Sequence, residues 1–438
     1  MLSVINRWIP RGSVVLSLTT LGSYVMGLLR DRILAQSFGA STSLDIYNAA
    51  FLVPDFLFNF LVASGIAAAA VPLFTELYKR NKVHAYQYMN SLIVVAVLLM
   101  TITGVGIMIF APWLSFAVAP GLDAIGRTQA IQLMRIVALS PILFAVSNAL
   151  GALLIAQKRF TWYGLSPIFY NIGIITGALV LSRSYGIMGV AYGTVLGAAL
   201  HLTIRLIDAV ASGWRPHLDW HWHTPEMKRT LQLMLPKMVG HPVELITFWV
   251  FTSLASLLAS GSITVLNFAR NFQSVPVSIL GIAMATAVFP ALTEAALSSR
   301  TELKRLFNKT TNTIFLASLA AALFVFIIRR PLVAILLGGG AFNSEAVTRT
   351  ALTLGFFCLS IPTESLSHLF ARAFYATKNT TIPVIFSVIS LVVAGSSAYL
   401  LQSKLGIVGI PLGFFLGSLI KAGSLWLMFQ KRITQQLR

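Results

Sequence analysis

The sequence predicts an all-α polytopic membrane protein: about twelve transmembrane helices in two six-helix lobes related by a pseudo-twofold axis along the membrane normal. Three observations carry this. Hydrophobic residues make up 57% of the chain and charged residues 10%, where a soluble domain carries about 25% charged residues. About twelve apolar stretches reach the roughly 20 residues needed for one crossing. The chain also repeats itself: Gly186, Gly189, Gly193 and Gly197 recur as Gly406, Gly409, Gly413 and Gly417, an offset of 220 (406 − 186). Pro72, Thr75 and Glu76 are echoed by Pro290, Thr293 and Glu294, and Ala156 and Lys158 by Ala376 and Lys378. Duplication in a hydrophobic chain is how many secondary transporters are built.

The stretches run in order along the chain. In the first unit 13–36 is apolar up to Arg30, and 46–74 carries Pro54 and Pro72. The stretches 88–112, 129–156 and 161–182 are nearly free of charge, and 186–210 carries the first glycine ladder. The second unit follows with 230–258, 263–292, 306–328, 346–374, 381–402 and the second ladder in 406–430. Six spans per unit is an even number, so both units enter the membrane from the same side. The expected organisation is an N-terminal lobe 1–212, an amphipathic cytoplasmic linker 213–229 and a C-terminal lobe 230–438. No connection is long enough for a soluble domain. No cleavable signal sequence is expected, because the run from Val14 passes into Arg30 and Asp31 without a small-residue cleavage site. The single cysteine, Cys358, falls inside a span.

The net charge of +19 would suggest nucleic acid on a soluble protein. Here the basic residues sit in short loops, at Arg7, Arg11, Lys79, Arg80, Lys158, Arg159, Lys228, Arg229, Arg300, Lys304 and Lys431. They share one side if both termini are cytoplasmic, as the positive-inside rule requires. Membrane lipids, not nucleic acid, are the expected contact.

A charge at the bilayer centre costs about 2.5–3.5 kcal/mol on insertion scales, so retained charges face a cavity or a partner. Candidates are Arg30, Asp31, Arg32, Asp45 and Asp55 in the first unit, and Lys237, His241, Glu244, Arg270, Glu364, His368, Arg372 and Lys421 in the second. A guanidinium matches a phosphate bidentately, so Arg30 and Arg270 suggest a diphosphate site; snorkelling is the plainer reading of Arg30. Glu364 and His368 lie four apart on one helical face and form either a proton relay or a structural polar pair. Lys237, His241 and Glu244 share a face as a coupling group or an internally compensated ion cluster. The in-span prolines serve bending or static kinking, and the glycine ladders close helix contact or substrate contact. The run from His217 through His221 to His223 alternates with tryptophan and reads as an interfacial loop before a metal site. No Walker A pattern and no paired-aspartate run is present, so neither an enzyme nor a cofactor or metal is expected.

The stretch from Gly27 to Asp31, then Phe38 to Ser41 and Asp45 to Pro54, resembles the start of the MurJ (MviN) lipid II flippases, within the superfamily that includes MATE exporters. Gly281 to Pro290 is similar to the same family. The resemblance implies two six-helix lobes forming a V around a central cationic cavity. It also implies alternating access that moves an undecaprenyl-diphosphate-linked peptidoglycan precursor, lipid II, from the inner to the outer leaflet of the bacterial inner membrane. Arg30, Asp45 and Ser23 fall on family cavity positions. Tyr24 and Phe58 stand where the family has further arginines, and Asn271 stands at the span-8 arginine position with Arg270 one place earlier. The family has fourteen spans where about twelve are read here. The alternatives are another polyprenyl-linked glycan flippase or MATE-like exporter, and a non-transporting scaffold for cell-wall synthesis proteins.

Overall fold

The structure, a computed structural model, describes residues 11–221, 223–240 and 242–435. Each of the twelve predicted stretches is met by helix. The first unit contains α1 (Arg11–Phe38), α2 (Thr42–Phe58), α3 (Ser64–Arg80), α4 (Lys82–Val118), α5 (Ala124–Val137), α6 (Ser140–Ala156), α7 (Phe160–Thr176), α8 (Ser182–Tyr185) and α9 (Ile187–Ala211). After a loop come α10 (Pro225–Gly240), α11 (Pro242–Ser256), α12 (Ser262–Pro276), α13 (Met284–Ser298), α14 (Arg300–Leu337), α15 (Ser344–Phe357), α16 (Ser360–Ala376), α17 (Thr381–Leu405) and α18 (Gly409–Gln435). Among the described residues eight helical runs, or nine if the bent pair α15–α16 is one span, are long and apolar enough to cross a membrane. One of these runs, Thr381–Arg432, holds two predicted spans, and the first and seventh predicted stretches are not among them.

The chain divides into two compact units, one of Met1–Phe38 with Thr42–Pro242 and one of Gly39–Ser41 with Val243–Arg438. Residues 213–229, expected as a linker, dock on the first unit. Trp214 Nε1 donates to Asn90 Oδ1 at 2.8 Å, Asn90 Nδ2 donates to Asp219 Oδ2 at 3.1 Å, and His84 Nε2 lies 3.3 Å from Glu226 Oε1. On α10 the Thr230 hydroxyl pairs with Tyr88 at 2.8 Å.

The duplication reaches local geometry. Asn81 caps α4 by accepting from Val83 N and His84 N, and Ser299, 218 residues on (299 − 81), caps α14 by accepting from Glu302 N. Asp123 and Asn343 cap α5 and α15 in the same way, 220 apart (343 − 123). Each satisfies an orphan N–H of a first turn. π-helical turns interrupt the second span of each unit at Asn59–Ala63 and Val277–Ala283. Lys158 and Lys378 adopt left-handed backbone, φ 60° and 58°, at matching helix ends.

Within each unit the last two spans fold back on each other at a glycine of positive φ, Gly186 at 55° and Gly406 at 60°. A Cβ on Gly193 would press on the Gly177 backbone and one on Gly197 on the Tyr170 carbonyl; on Gly413 and Gly417 it would meet backbone of α17. The ladders are therefore contact surfaces between helices.

The N-terminal core gathers Phe74, Met89, Leu150 and Leu153, all essentially inaccessible. The C-terminal core stacks Phe307, Phe370, Phe374 and Phe429, with centroids 4.6–5.4 Å apart for the pairs Phe307–Phe429, Phe374–Phe429 and Phe307–Phe370. Outside these cores Ile109, Trp113, Phe324 and Ile327 are widely exposed, as suits helices solvated by lipid.

Candidate functional site

In the N-terminal unit α1 carries Arg30. Its Nε and Nη2 donate to Asp31 Oδ1 at 3.0 and 2.7 Å, and its Nη1 donates to Asn171 Oδ1 on α7 at 3.1 Å. Asn171 Nδ2 is held by Pro167 O at 2.9 Å, which turns its carbonyl toward the arginine. Three of the five guanidinium N–H donors are thus engaged, and the side chain keeps 26% exposure. The group is oriented and partly neutralised, with donors still available to an anion.

Asp45 is buried in the first turn of α2, where a carboxylate meets the positive end of the helix dipole. Two residues on, Tyr47 hydrogen-bonds Thr194 at 3.0 Å. On α1 Ser23 is partly exposed and Tyr24 largely exposed. Phe58 is buried against Phe144, centroids 5.7 Å apart. It lines a cavity of about 320 Å³ whose wall also includes Phe51, Asp55, Phe144, Tyr170 and His201.

In the C-terminal unit Arg270 Nη2 donates to Glu244 Oε1 at 3.1 Å, and its guanidinium lies over the Phe248 ring, 2.9 Å from the centroid. Asn271, the next residue, is exposed. Three residues beyond Arg270, Gln273 Nε2 donates to Glu364 Oε2 at 2.7 Å and to Ser360 Oγ at 3.2 Å. Glu244, Arg270 and Lys421 act electrostatically on Glu364, and Glu244, Lys421 and Arg372 on His368. The charged residues of α11, α12, α16 and α18 thus form one network inside this unit. Arg372 reaches Thr286 Oγ1 at 2.7 Å. The Lys237 side chain and His241 lie outside the described residues.

Several participants went unread in the sequence. Arg205 on α9 is 5% exposed. It donates to Ser166 Oγ, Ser147 O and Asn148 Oδ1 at 2.8, 2.9 and 3.2 Å and lies over the Tyr163 ring. An arginine within a glycine-rich apolar stretch was the signal. Arg159 and Asp208 form a close ion pair at the end of α9. Asn171 and Gln273 gave no signal, since a lone amide in an apolar run is ordinary. In the loop after α9 His217 Nδ1 lies 3.0 Å from Asp219 Oδ1. Among the described residues no group of three or more His, Cys, Asp or Glu is arranged to hold a metal.

Comparison with known proteins adds to this geometry. The sequence profile of the family described as lipid II flippase MurJ matches residues 34–437. A lipid II flippase MurJ of Burkholderia cenocepacia is 26% identical over 437 residues, covering 96% of this chain and 84% of its own. A probable lipid II flippase MurJ of Rickettsia prowazekii is 22% identical over 420 residues, covering 95% and 83%. Among solved structures, a lipid II flippase MurJ in an inward closed conformation superposes with a TM-score of 0.80 at 22% identity, covering 95% of this chain and 87% of that one. An inward-facing multidrug resistance MATE family transporter gives 0.77 at 16%, covering 96% and 98%. The two structural matches bear on fold.

Proposed function

The chain belongs to the lipid II flippase MurJ family, and from that premise we propose that it flips lipid II from the inner to the outer leaflet by alternating access. It is a multi-pass membrane protein of a transporter family. In this reading it sits in the bacterial inner membrane with both termini cytoplasmic, because the loops rich in Lys and Arg share that side. Its partners are lipid II and membrane lipids, and other cell-wall synthesis proteins where flipping is linked to polymerisation. It works without a cofactor and performs no covalent chemistry.

The observation that carries the proposal is Arg30. A partly buried guanidinium held by Asp31 and Asn171 with donors to spare suits a diphosphate, which takes parallel N–H···O bonds. Arg270 acts as a second phosphate-binding group, released from Glu244 when an anion competes for it. Asp45 and Ser23 line the path on the N-terminal side with Tyr24 and Phe58, and Asn271 adds an exposed amide next to Arg270. The network of Glu244, Glu364 and His368, with Lys237, His241 and Asp31, serves coupling or gating.

The test is complementation of a flippase-depleted cell together with lipid II translocation in proteoliposomes. The expected result is that the chain supports growth, that Arg30→Ala abolishes it and that Arg30→Lys restores part of it. Normal growth with Arg30→Ala, or no growth with a well-expressed wild type, overturns the assignment. Transport of organic cations in place of the lipid would favour the MATE-like alternative.

A further inference from the structure

We propose that Glu244 is a two-position carboxylate: it pairs with Arg270 while no anion competes and passes to Lys421 when an anion takes Arg270, so that Lys421 is the positioning residue that frees the arginine. This inference rests on the flippase reading, in which a diphosphate is that anion, and adds the place where the displaced carboxylate goes. The need for such a place is electrostatic. A carboxylate in an apolar helix is strongly penalised when it loses its partner. An anion therefore displaces Glu244 readily only if a second cation receives it.

Helix packing sets that cation opposite. Phe414 on α18 packs on both Phe248 and Phe251 of α11, centroids 5.7 and 5.9 Å apart. These two helices run in opposite directions. α17 folds back along α18, with Ala398 at Gly413 and Ser390 at Gly417, while α11 follows α17, with Val250 at Gly395 and Leu257 walling a cavity with Tyr399. Glu244 lies seven residues before Phe251 (251 − 244) and Lys421 seven after Phe414 (421 − 414). Seven residues make close to two turns, about 10 Å along the axis and back on the same face. Both charges thus leave the aromatic contact in the same direction and by the same distance, on facing sides of two packed helices. Arg270 reaches the same carboxylate from α12, Nη2 to Oε1 at 3.1 Å.

Lys421 has no other duty in this network. Among the described residues its ammonium makes no hydrogen bond or ion pair, although Glu244 and Glu364 are the carboxylates within its electrostatic reach. Glu364 is held by Gln273 at 2.7 Å. Glu244 is 52% exposed and accepts from Arg270 through one oxygen, which leaves it room to rotate.

The frame around Glu244 is anchored. Gln273 ties α12 to α16 through Ser360 and Glu364, and Thr363 ties α16 to α18 through Ser418 at 2.6 Å. Arg270 lies three residues from Gln273 and Lys421 three from Ser418, so each cation stands one turn from a fixed residue and the carboxylate between them is what moves. The two cations also differ as the exchange requires. A planar guanidinium takes a phosphate through parallel N–H donors, whereas an ammonium on a flexible stem is a point charge that follows a carboxylate.

The experiment measures binding of undecaprenyl diphosphate to the full chain in nanodiscs through a double-mutant cycle. Glu244→Gln removes the competitor and should tighten binding about threefold, the scale of an exposed pair. Lys421→Met should weaken it about tenfold, between the effects of an exposed and a buried pair, and Lys421→Arg should restore most of the loss. In the Glu244→Gln background Lys421→Met should change affinity by less than about twofold, because no carboxylate remains to be received. A loss of equal size in both backgrounds would make Lys421 a direct phosphate ligand or a structural residue and overturn the proposal. Wild-type affinity in Lys421→Met, or coupling that follows Glu364→Gln in place of Glu244→Gln, overturns it too. Arg270→Ala should weaken binding and abolish the effect of Glu244→Gln. Unchanged affinity in Arg270→Ala, with binding still lost in Arg30→Ala, overturns the switch and leaves the flippase reading standing. No binding by a folded wild type overturns both.

Discussion

Replacing Gly193 by alanine tests the claim that the glycine ladder is a contact surface. A Cβ there would stand 2.7 Å from Gly173 O and 2.8 Å from Gly177 N, where about 3.5–4.0 Å is normal for carbon contacts. The obstructing atoms are backbone, so no side chain can rotate away and α7 must retreat by about 1 Å. Overpacking of this kind costs about 1–3 kcal/mol, offset by about 1 kcal/mol of helix propensity gained over glycine. The net loss is up to about 2 kcal/mol, or a fall of up to about 8 °C in melting temperature if the unit unfolds like a domain of 150–250 residues. Gly27→Ala makes the same chemical change where nothing lies within 4 Å, and should stabilise by up to about 1 kcal/mol. Thermal unfolding of both variants in one detergent compares them directly. Shifts of the same sign and size would refute the packing argument.

Three further predictions follow from local geometry. Lys158→Gly should raise the melting temperature, because a non-glycine residue at φ 60° carries about 1 kcal/mol of strain; an unchanged or lower value speaks against strain there. Arg159→Met should destabilise by about 2 kcal/mol, below the 3–5 of a fully buried pair because Arg159 keeps 40% exposure while Asp208 keeps 3%; chemical denaturation measures it. Glu226 is held below its ordinary carboxylate range by its own backbone N–H at the start of α10, with further help from His84. A depressed carboxylate stabilises above its unfolded pKa of about 4.3, and the contribution is lost as pH falls through the lower folded value. Melting temperature should therefore drop more steeply below about pH 4 in wild type than in Glu226→Gln, and parallel profiles would remove the docking role assigned to this residue.

The sequence by itself determined the helical membrane fold, the duplication and the family. Those follow from properties summed over many residues: hydrophobic length, glycine and proline spacing, and loop charge. It also marked Arg30, Arg270, Glu364 and His368, because a charge in an apolar run is conspicuous wherever the helix points. Only the tertiary structure decided partnership. It gave Arg30 to Asp31 and Asn171, Arg270 to Glu244, and Glu364 to Gln273. It also separated Arg270 from exposed Asn271, since one residue turns a helical side chain by about 100°. Arg205 and the aromatic cavity stayed illegible because each takes its meaning from neighbours tens of residues away: Arg205 is bound by Ser147, Asn148 and Ser166, which only packing brings to it.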